Sequence, residues 1–399
     1  MAQVVIVGAG PTGATLALLL AQRGLAVTLV EASRSFRRTF RGEALMPSGL
    51  AALGHMGLLA MLETLPHQPL AGWEYLLEGK RMFQVAEPIE ANAQPCTLVS
   101  QPALLAALIE KAQQYQHFEW IQGTPVQDVV HHQGRMRGVQ LRDGRILTAD
   151  LVVGADGRNS LVRQRAGLTL ERRSHGIDLL WFKLADSSCL PSENVFYALI
   201  HKGQTMGLFR SAEGSLQLAW ALYADDPTDW KQIDWPQQLA AASPPWLAQH
   251  LQAHAQDIEE PILLSVVVGL CPQWSIPGLL ILGDAAHPMS PIRAQGINMA
   301  LRDVMVAANH LVPLLQQDAN PETIDAVLPQ IQAEREPEII CIQQLQNQEL
   351  AQGERLRQNP FLRQMVKLTL PLISGFIRQS WLNRQHQLRQ GVTQIHLHV

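Results

Sequence analysis

The chain has 399 residues, 47% of them apolar, and its 31 basic and 35 acidic side chains leave a formal charge of −4. That is enough apolar material for one large core or two interlocked domains, and the near balance of charge gives no global field for holding nucleic acid. The four cysteines, Cys96, Cys189, Cys271 and Cys341, are far apart and form no C-x-x-C pair, which excludes a disulfide framework or zinc knuckle and fits a reducing cytoplasm.

Val4–Val7 is a short apolar run suited to a strand buried on both faces, and it leads straight into Gly8-Ala9-Gly10-Pro11-Thr12-Gly13. The stripe of Leu16, Leu19 and Leu20 predicts a helix next, Gly24 is placed to end it, and residues 25–30 read as a second parallel strand. Glu31 follows, where a carboxylate can accept from both hydroxyls of a ribose. The chemistry requires bare glycines because a pyrophosphate must touch the backbone at the turn, while the helix N-terminus offers free N–H groups and a positive dipole end. This βαβ unit points to a dinucleotide without choosing between NAD and FAD.

Two segments far downstream narrow the choice. Residues 150–160 end an apolar strand in Asp156-Gly157. Residues 279–303 read LLILGDAAHPMSPIRAQGINMALRD, a strand followed by Gly283-Asp284, a loop containing Pro288 and Pro291, and a helix start near Gly296. In this order and at these separations the three segments resemble the class A FAD-dependent aromatic hydroxylases, the family of para-hydroxybenzoate hydroxylase and the ubiquinone-biosynthesis hydroxylases. Smaller matches are Arg41-Gly42-Glu43-Ala44-Leu45 and the helix start at Gln101-Pro102-Ala103-Leu104-Leu105.

The resemblance implies an α/β fold: a Rossmann-like FAD-binding domain with an inserted antiparallel-sheet substrate domain and C-terminal helices. The expected division is 1–72, 97–175 and 270–335 for FAD, 73–96 and 176–269 for substrate, and 336–399 as a C-terminal helical region. It further implies FAD as cofactor and NADPH or NADH as co-substrate, with hydroxylation of an aromatic or prenylated-aromatic ring by O2 through a flavin C4a-hydroperoxide. Gly8, Gly10, Pro11, Thr12 and Gly13 would hold the pyrophosphate, Glu31 a ribose and Asp284, after Gly283, the ribityl chain. Arg41, Gln101 and Asp156 would contact FAD or serve nicotinamide use, and Gly296, Ile297 and Asn298 would meet the flavin ring, with Pro291 in front of it. Two positions depart from the family pattern: Gln101 stands where many relatives have arginine, and Ala294 stands where glycine is usual, so a positive φ is not expected there. An epoxidase or reductase of an isoprenoid double bond, or a non-catalytic FAD-binding partner, shares the cofactor motifs.

The remainder supplies scaffold and pocket. Residues 126–147 read as a meander and 75–85 as a hairpin about Glu78-Gly79-Lys80. Strands are expected at 179–185, 195–200, 205–210, 216–222 and 262–268. Trp181, His201, Met206, Phe209 and Trp220 lie on or beside these strands and are candidate pocket residues, with sheet core as the commoner role. His131, His132, His396 and His398 read as surface histidines, so no metal is expected. Residues 361–381 have the composition of a membrane-surface helix, although Pro371 and Gly375 interrupt its period and favour packing on the enzyme body.

Overall fold

A computed structural model describes residues 3–36, 43–91, 93–173, 177–223, 226 and 229–399. The first strand, Gln3–Val7, is central in a six-stranded sheet, paired in parallel with Ala26–Glu31 on one side and Leu151–Gly154 on the other. Phe118–Gln122 and Leu279–Ile281 extend the sheet in parallel, and Ser275–Ile276 closes it in antiparallel pairing. The central strands Gln3–Val7, Leu151–Gly154 and Leu279–Ile281 are covered on both faces, and their buried positions are apolar apart from Gly154, whereas the edge strand Phe118–Gln122 is mixed and largely open. The helices Pro11–Gln22 and Gln295–Gln316 pack together within the same core.

The second large sheet has seven strands in the order Ile262–Leu264, Ile177–Leu184, Leu216–Tyr223, Gln204–Arg210, Val195–His201, Gly72–Leu77 and Lys80–Ala86. It is antiparallel except where Val195–His201 runs parallel to Gly72–Leu77. The expected hairpin is present, with Glu78 (φ 49°) and Gly79 (φ 76°) both in the left-handed region that a two-residue turn requires. The meander is a separate three-stranded sheet of Val126–His132, Arg135–Leu141 and Ile146–Thr148.

Two expectations fail. The segment 262–268 is not one strand: Ile262–Leu264 edges the seven-stranded sheet, and Val268–Leu270 pairs instead with Glu171–Arg173. Asp178 Oδ1 accepts from Val266 N between the two, which redirects the chain. Second, Pro371 and Gly375 do not interrupt the last helix, which runs unbroken over Pro360–Gln390. Before it, Pro321–Gln358 is also continuous and passes through residue 335, where the sequence placed a boundary. No helix among the described residues is long and apolar enough to cross a membrane.

Candidate active site

Two cavities meet where the sheets face each other. One, about 860 Å³, runs along the ends of the parallel strands past Gly8, Gly10, Pro11, Glu31, Gln101, Asp156 and Gly157. The other, about 460 Å³, lies between the seven-stranded sheet and the loop 289–294, and both share Gly10, Glu43, Gln101 and Trp181.

The glycines of the first turn divide by what a side chain would strike. A Cβ on Gly8 would meet Ala155 O at 2.5 Å and one on Gly13 would meet Gly8 O at 1.9 Å, so these two let helix and strands pack. At Gly10 a Cβ meets nothing within 4 Å. The helix Pro11–Gln22 that begins there has no side-chain cap and no acid in its first turn, so its N-terminus presents bare donors to the cavity. This cradle fits a pyrophosphate. Glu31 lines the same cavity, fixed by accepting from Ala9 N (2.9 Å) and Ser33 N (2.8 Å).

Asp156 also borders this cavity, but its carboxylate turns inward. It accepts from Ser160 Oγ (2.5 Å), Leu161 N (2.7 Å) and Val162 N (3.1 Å), capping the helix Leu161–Arg165. Burial holds this acid above the usual carboxylate range, against the pull of those donors. Arg41 lies outside the described residues.

In the second cavity Asp284 lies beside Gly296, with Ile297 and Pro291 on the same wall. Gly283 is held apart from it, as a Cβ there would meet Thr12 Oγ1 at 2.2 Å, so its role is to seat one motif on the other. Asn298 follows Ile297 at the same helix start. Its side chain is fully buried outside both cavities, accepting from Met46 N and donating to Ala44 O and Ala294 O. That side chain ties the helix start to strand Ala44–Leu45.

Ala294 corrects an expectation: it adopts the left-handed region at φ 48°, ψ 39°, directly after Arg293 at φ 60°. Two such non-glycine residues cost roughly 1–2 kcal/mol each, and the surroundings hold both. Gln295 Nε2 donates to Arg293 O, Asn298 Nδ2 to Ala294 O, and Arg293 pairs with Glu349 at 2.8 Å. The strain aims the Arg293 guanidinium across the cavity to lie 5.0–5.5 Å from the ring centres of Trp73, Tyr75 and Trp381. Burial opposes its charge, but Tyr75 and Glu349 keep it firmly protonated. Its Nε is buried without a hydrogen-bond partner.

The sheet face opposite has a row set by register. Trp181, Ala219, Gly207, Ala198 and Tyr75 stand side by side on five adjacent strands. Three small residues thus form a trough between Trp181 and Tyr75, four strand spacings or about 19 Å apart, with the Phe196 ring reaching over Gly207, 3.1 Å from where a Cβ would stand. Phe209 lines this trough. Met206 borders the cavity but packs with Leu208 and Trp220 in the core behind the sheet. Trp220 faces that core too, against Trp235, because strand alternation turns it away from Ala219 and Ala221. His201 lies outside both cavities, 3.6 Å from Glu78.

Several site residues escaped the sequence reading. Glu43 lines both cavities, and burial, together with Glu213, pushes its carboxyl up to about 7 against the Ala212 N–H. Behind the Gly283–Asp284 turn, Asp303 accepts from Gly283 N, His287 and Arg335, while Arg335 and Arg302 both bind Glu338. A separate surprise is Asp186, His250 and His254, whose ligand atoms come within 4.8 Å of one another away from both cavities. His250 and His254 are one helical turn apart, as are Arg335 and Glu338, but Asp186 and Asp303, which complete the two groupings, come from other elements of the fold, so no local pattern marks them.

A family model of the FAD binding domain matches residues 1–337. The chain belongs to this family of FAD-dependent aromatic hydroxylases. Among its relatives is the 6-methylpretetramide 4-monooxygenase of Streptomyces rimosus, 34% identical over 84% of this chain and 80% of that protein. Another is the 3-demethoxyubiquinol 3-hydroxylase of Escherichia coli K12, 25% identical over 78% and 79%. The fold is also that of P. aeruginosa PqsL, solved with 2-aminobenzoylacetate, with a TM-score of 0.76 and 24% identity over 90% of this chain and 97% of that one. As a member of the family the chain is an FAD-dependent monooxygenase.

Proposed function

We propose that this flavoprotein hydroxylates a flat phenolic ring system, mono- or polycyclic and with or without a prenyl chain, using NADPH or NADH and O2. The observation that carries this reading is the trough Trp181-Ala219-Gly207-Ala198-Tyr75, open to the loop of Pro291 and closed at one end by Arg293. Small residues across three strands leave a slot for a plane, and aromatic walls favour an aromatic occupant. On this reading the ring's phenol oxygen faces the Arg293 guanidinium and the Tyr75 hydroxyl at that end.

Gly10, Pro11 and Thr12 at the helix N-terminus hold the pyrophosphate, Glu31 a ribose, Asp284 the ribityl chain, and Gly296 with Ile297 the pyrimidine end of the flavin. Pro291 fronts the ring, and Gln101 and Trp181 sit where the two cavities join. When bound, FAD supplies hydride acceptance from the nicotinamide and activation of O2. The protein's own contribution is to orient the ring, keep the slot dry and fix the charge of the substrate oxygen. The division into 1–72, 97–175 and 270–335 against 73–96 and 176–269 follows the same reading.

The test is the visible spectrum of the purified protein, then anaerobic NADPH or NADH, then O2 with phenols and prenyl-phenols. Bleaching of bound flavin with O2 uptake matched to a ring-hydroxylated product is expected. An epoxide on the prenyl chain with the ring untouched would select the epoxidase, and flavin that no nicotinamide bleaches would select a non-catalytic partner. Arg293→Met should lower kcat/KM for phenols about ten- to a hundredfold, a loss of about 1.4–2.8 kcal/mol, with little effect on their methyl ethers.

A further inference from the structure

The last helix, Pro360–Gln390, is apolar on two opposed faces. One carries Leu370 and Trp381 into the protein, against Trp73, Tyr75 and Phe83. The other carries Phe361, Met365, Leu368, Leu372 and Phe376 at intervals of three and four residues, a stripe about 22 Å long. It faces solvent: Phe361, Leu368, Leu372 and Phe376 are 75%, 72%, 87% and 78% exposed. A helix with two opposed apolar faces needs a partner on each, so the outer side of this one lacks its partner.

The charge around the stripe identifies what covers it. Residues 355–399 contain seven Lys and Arg and no Asp or Glu, leaving 24 basic and 35 acidic residues in the rest of the chain. Arg363, Arg384 and Arg389 are spent on Glu78, Glu349 and Glu87 within the fold. Arg357 pairs with Glu354. Lys367 and Arg378 make no ion pair among the described residues; they share one side of the helix, between the stripe and the buried face, and Arg378 is exposed while its Nε donates to Gln84 O. A second copy docking through this face would bring the same basic flank and no acid to answer it.

We propose that this face is a docking surface for an anionic lipid bilayer, with the helix lying in the plane of the interface. The apolar stripe enters the acyl boundary while Lys367 and Arg378 meet lipid phosphates. The helix is too polar on its flanks to cross, consistent with the lack of any spanning segment among the described residues.

The test is cosedimentation of the full-length holoenzyme with vesicles of phosphatidylcholine alone or mixed with phosphatidylglycerol. The wild type should pellet with the mixed vesicles and lose most of that binding at high salt or with pure phosphatidylcholine. Combined Leu368→Gln, Leu372→Gln and Phe376→Gln should lower the affinity about tenfold or more, and Lys367→Gln with Arg378→Gln should remove the preference for phosphatidylglycerol. Turnover of a water-soluble phenol should not change in either variant. A wild type that stays in the supernatant with anionic vesicles overturns the proposal. So does a dimer, seen by sedimentation velocity, that the triple variant splits without any change in vesicle binding.

Discussion

At the scale of single residues, the two kinds of glycine in the first turn can be separated by experiment. Gly10→Val places its Cβ where no atom beyond its chain neighbours lies within 4 Å and at an ordinary φ of −72°. Such a variant should unfold at the same temperature as the wild-type apoprotein yet purify without yellow colour. Gly13→Val, by contrast, should fail to fold, since its Cβ alone overlaps Gly8 O. Retention of flavin by Gly10→Val would remove the pyrophosphate from this turn. Glu43 gives a pH signature. Its folded carboxyl titrates near 7 rather than its ordinary 4.5, so the native apoprotein holds a proton that the unfolded chain has released between those values. Stability therefore falls as pH rises from 4.5 through 7. Glu43→Gln should flatten that part of the Tm profile and raise Tm above the wild type at pH 8, measured by calorimetry of the apoprotein.

At the scale of elements, the sequence disclosed what is local. The strand, bare turn and helix at residues 3–22, the hairpin at Glu78-Gly79 and the strand-to-turn segment at Gly283-Asp284 announce themselves because adjacent residues cause them. Pairing partners did not. The trough exists only because Ala219, Gly207 and Ala198 fall in register, and no single strand's alternation reveals its neighbours' alignment. Asn298 sits in a recognisable motif, but its destination depends on Met46 and Gly49, some 250 residues away. The Arg293-Ala294 loop carries strain that the sequence rule forbade, and the long-range bonds to Glu349 and Asn298 sustain it. Ala294→Gly should accordingly stabilise the protein by up to about 1 kcal/mol, read as a higher denaturation midpoint, at the cost of a less firmly aimed Arg293. The helix pair behind the site answers to charge. Arg335 and Arg302 hold Glu338 at about 2, against the effect of burial, so its contribution is present above pH 4.5 and is lost as pH falls towards 2. Glu338→Gln leaves both arginines short of a counter-charge and should cost about 3–5 kcal/mol at neutral pH, with a smaller penalty in acid.

At the scale of the whole molecule, the last helix is a strap across the two layers that enclose the cavities. Its Arg384 reaches Glu349 of the preceding helix, and its Arg363 reaches Glu78 at the hairpin of the seven-stranded sheet. Arg389, almost wholly buried, binds Glu87 in two parallel bonds and Glu90 besides. Near the same end, Gln295 Nε2 donates to Leu388 O, so the strap grips the start of the helix expected to meet the flavin. Arg389→Met would keep most of the apolar contact of the side chain while leaving the buried Glu87 carboxylate without its cation, a change worth about 3–5 kcal/mol. Because the same residue sits between the substrate sheet and the flavin helix, the loss should appear twice: as a lower Tm and as weaker flavin retention at temperatures where the fold is intact. Arg389→Met with Glu87→Met, which removes both charges, should recover most of the stability. A double variant as unstable as the single one would mean that the ion pair is not what fastens the strap.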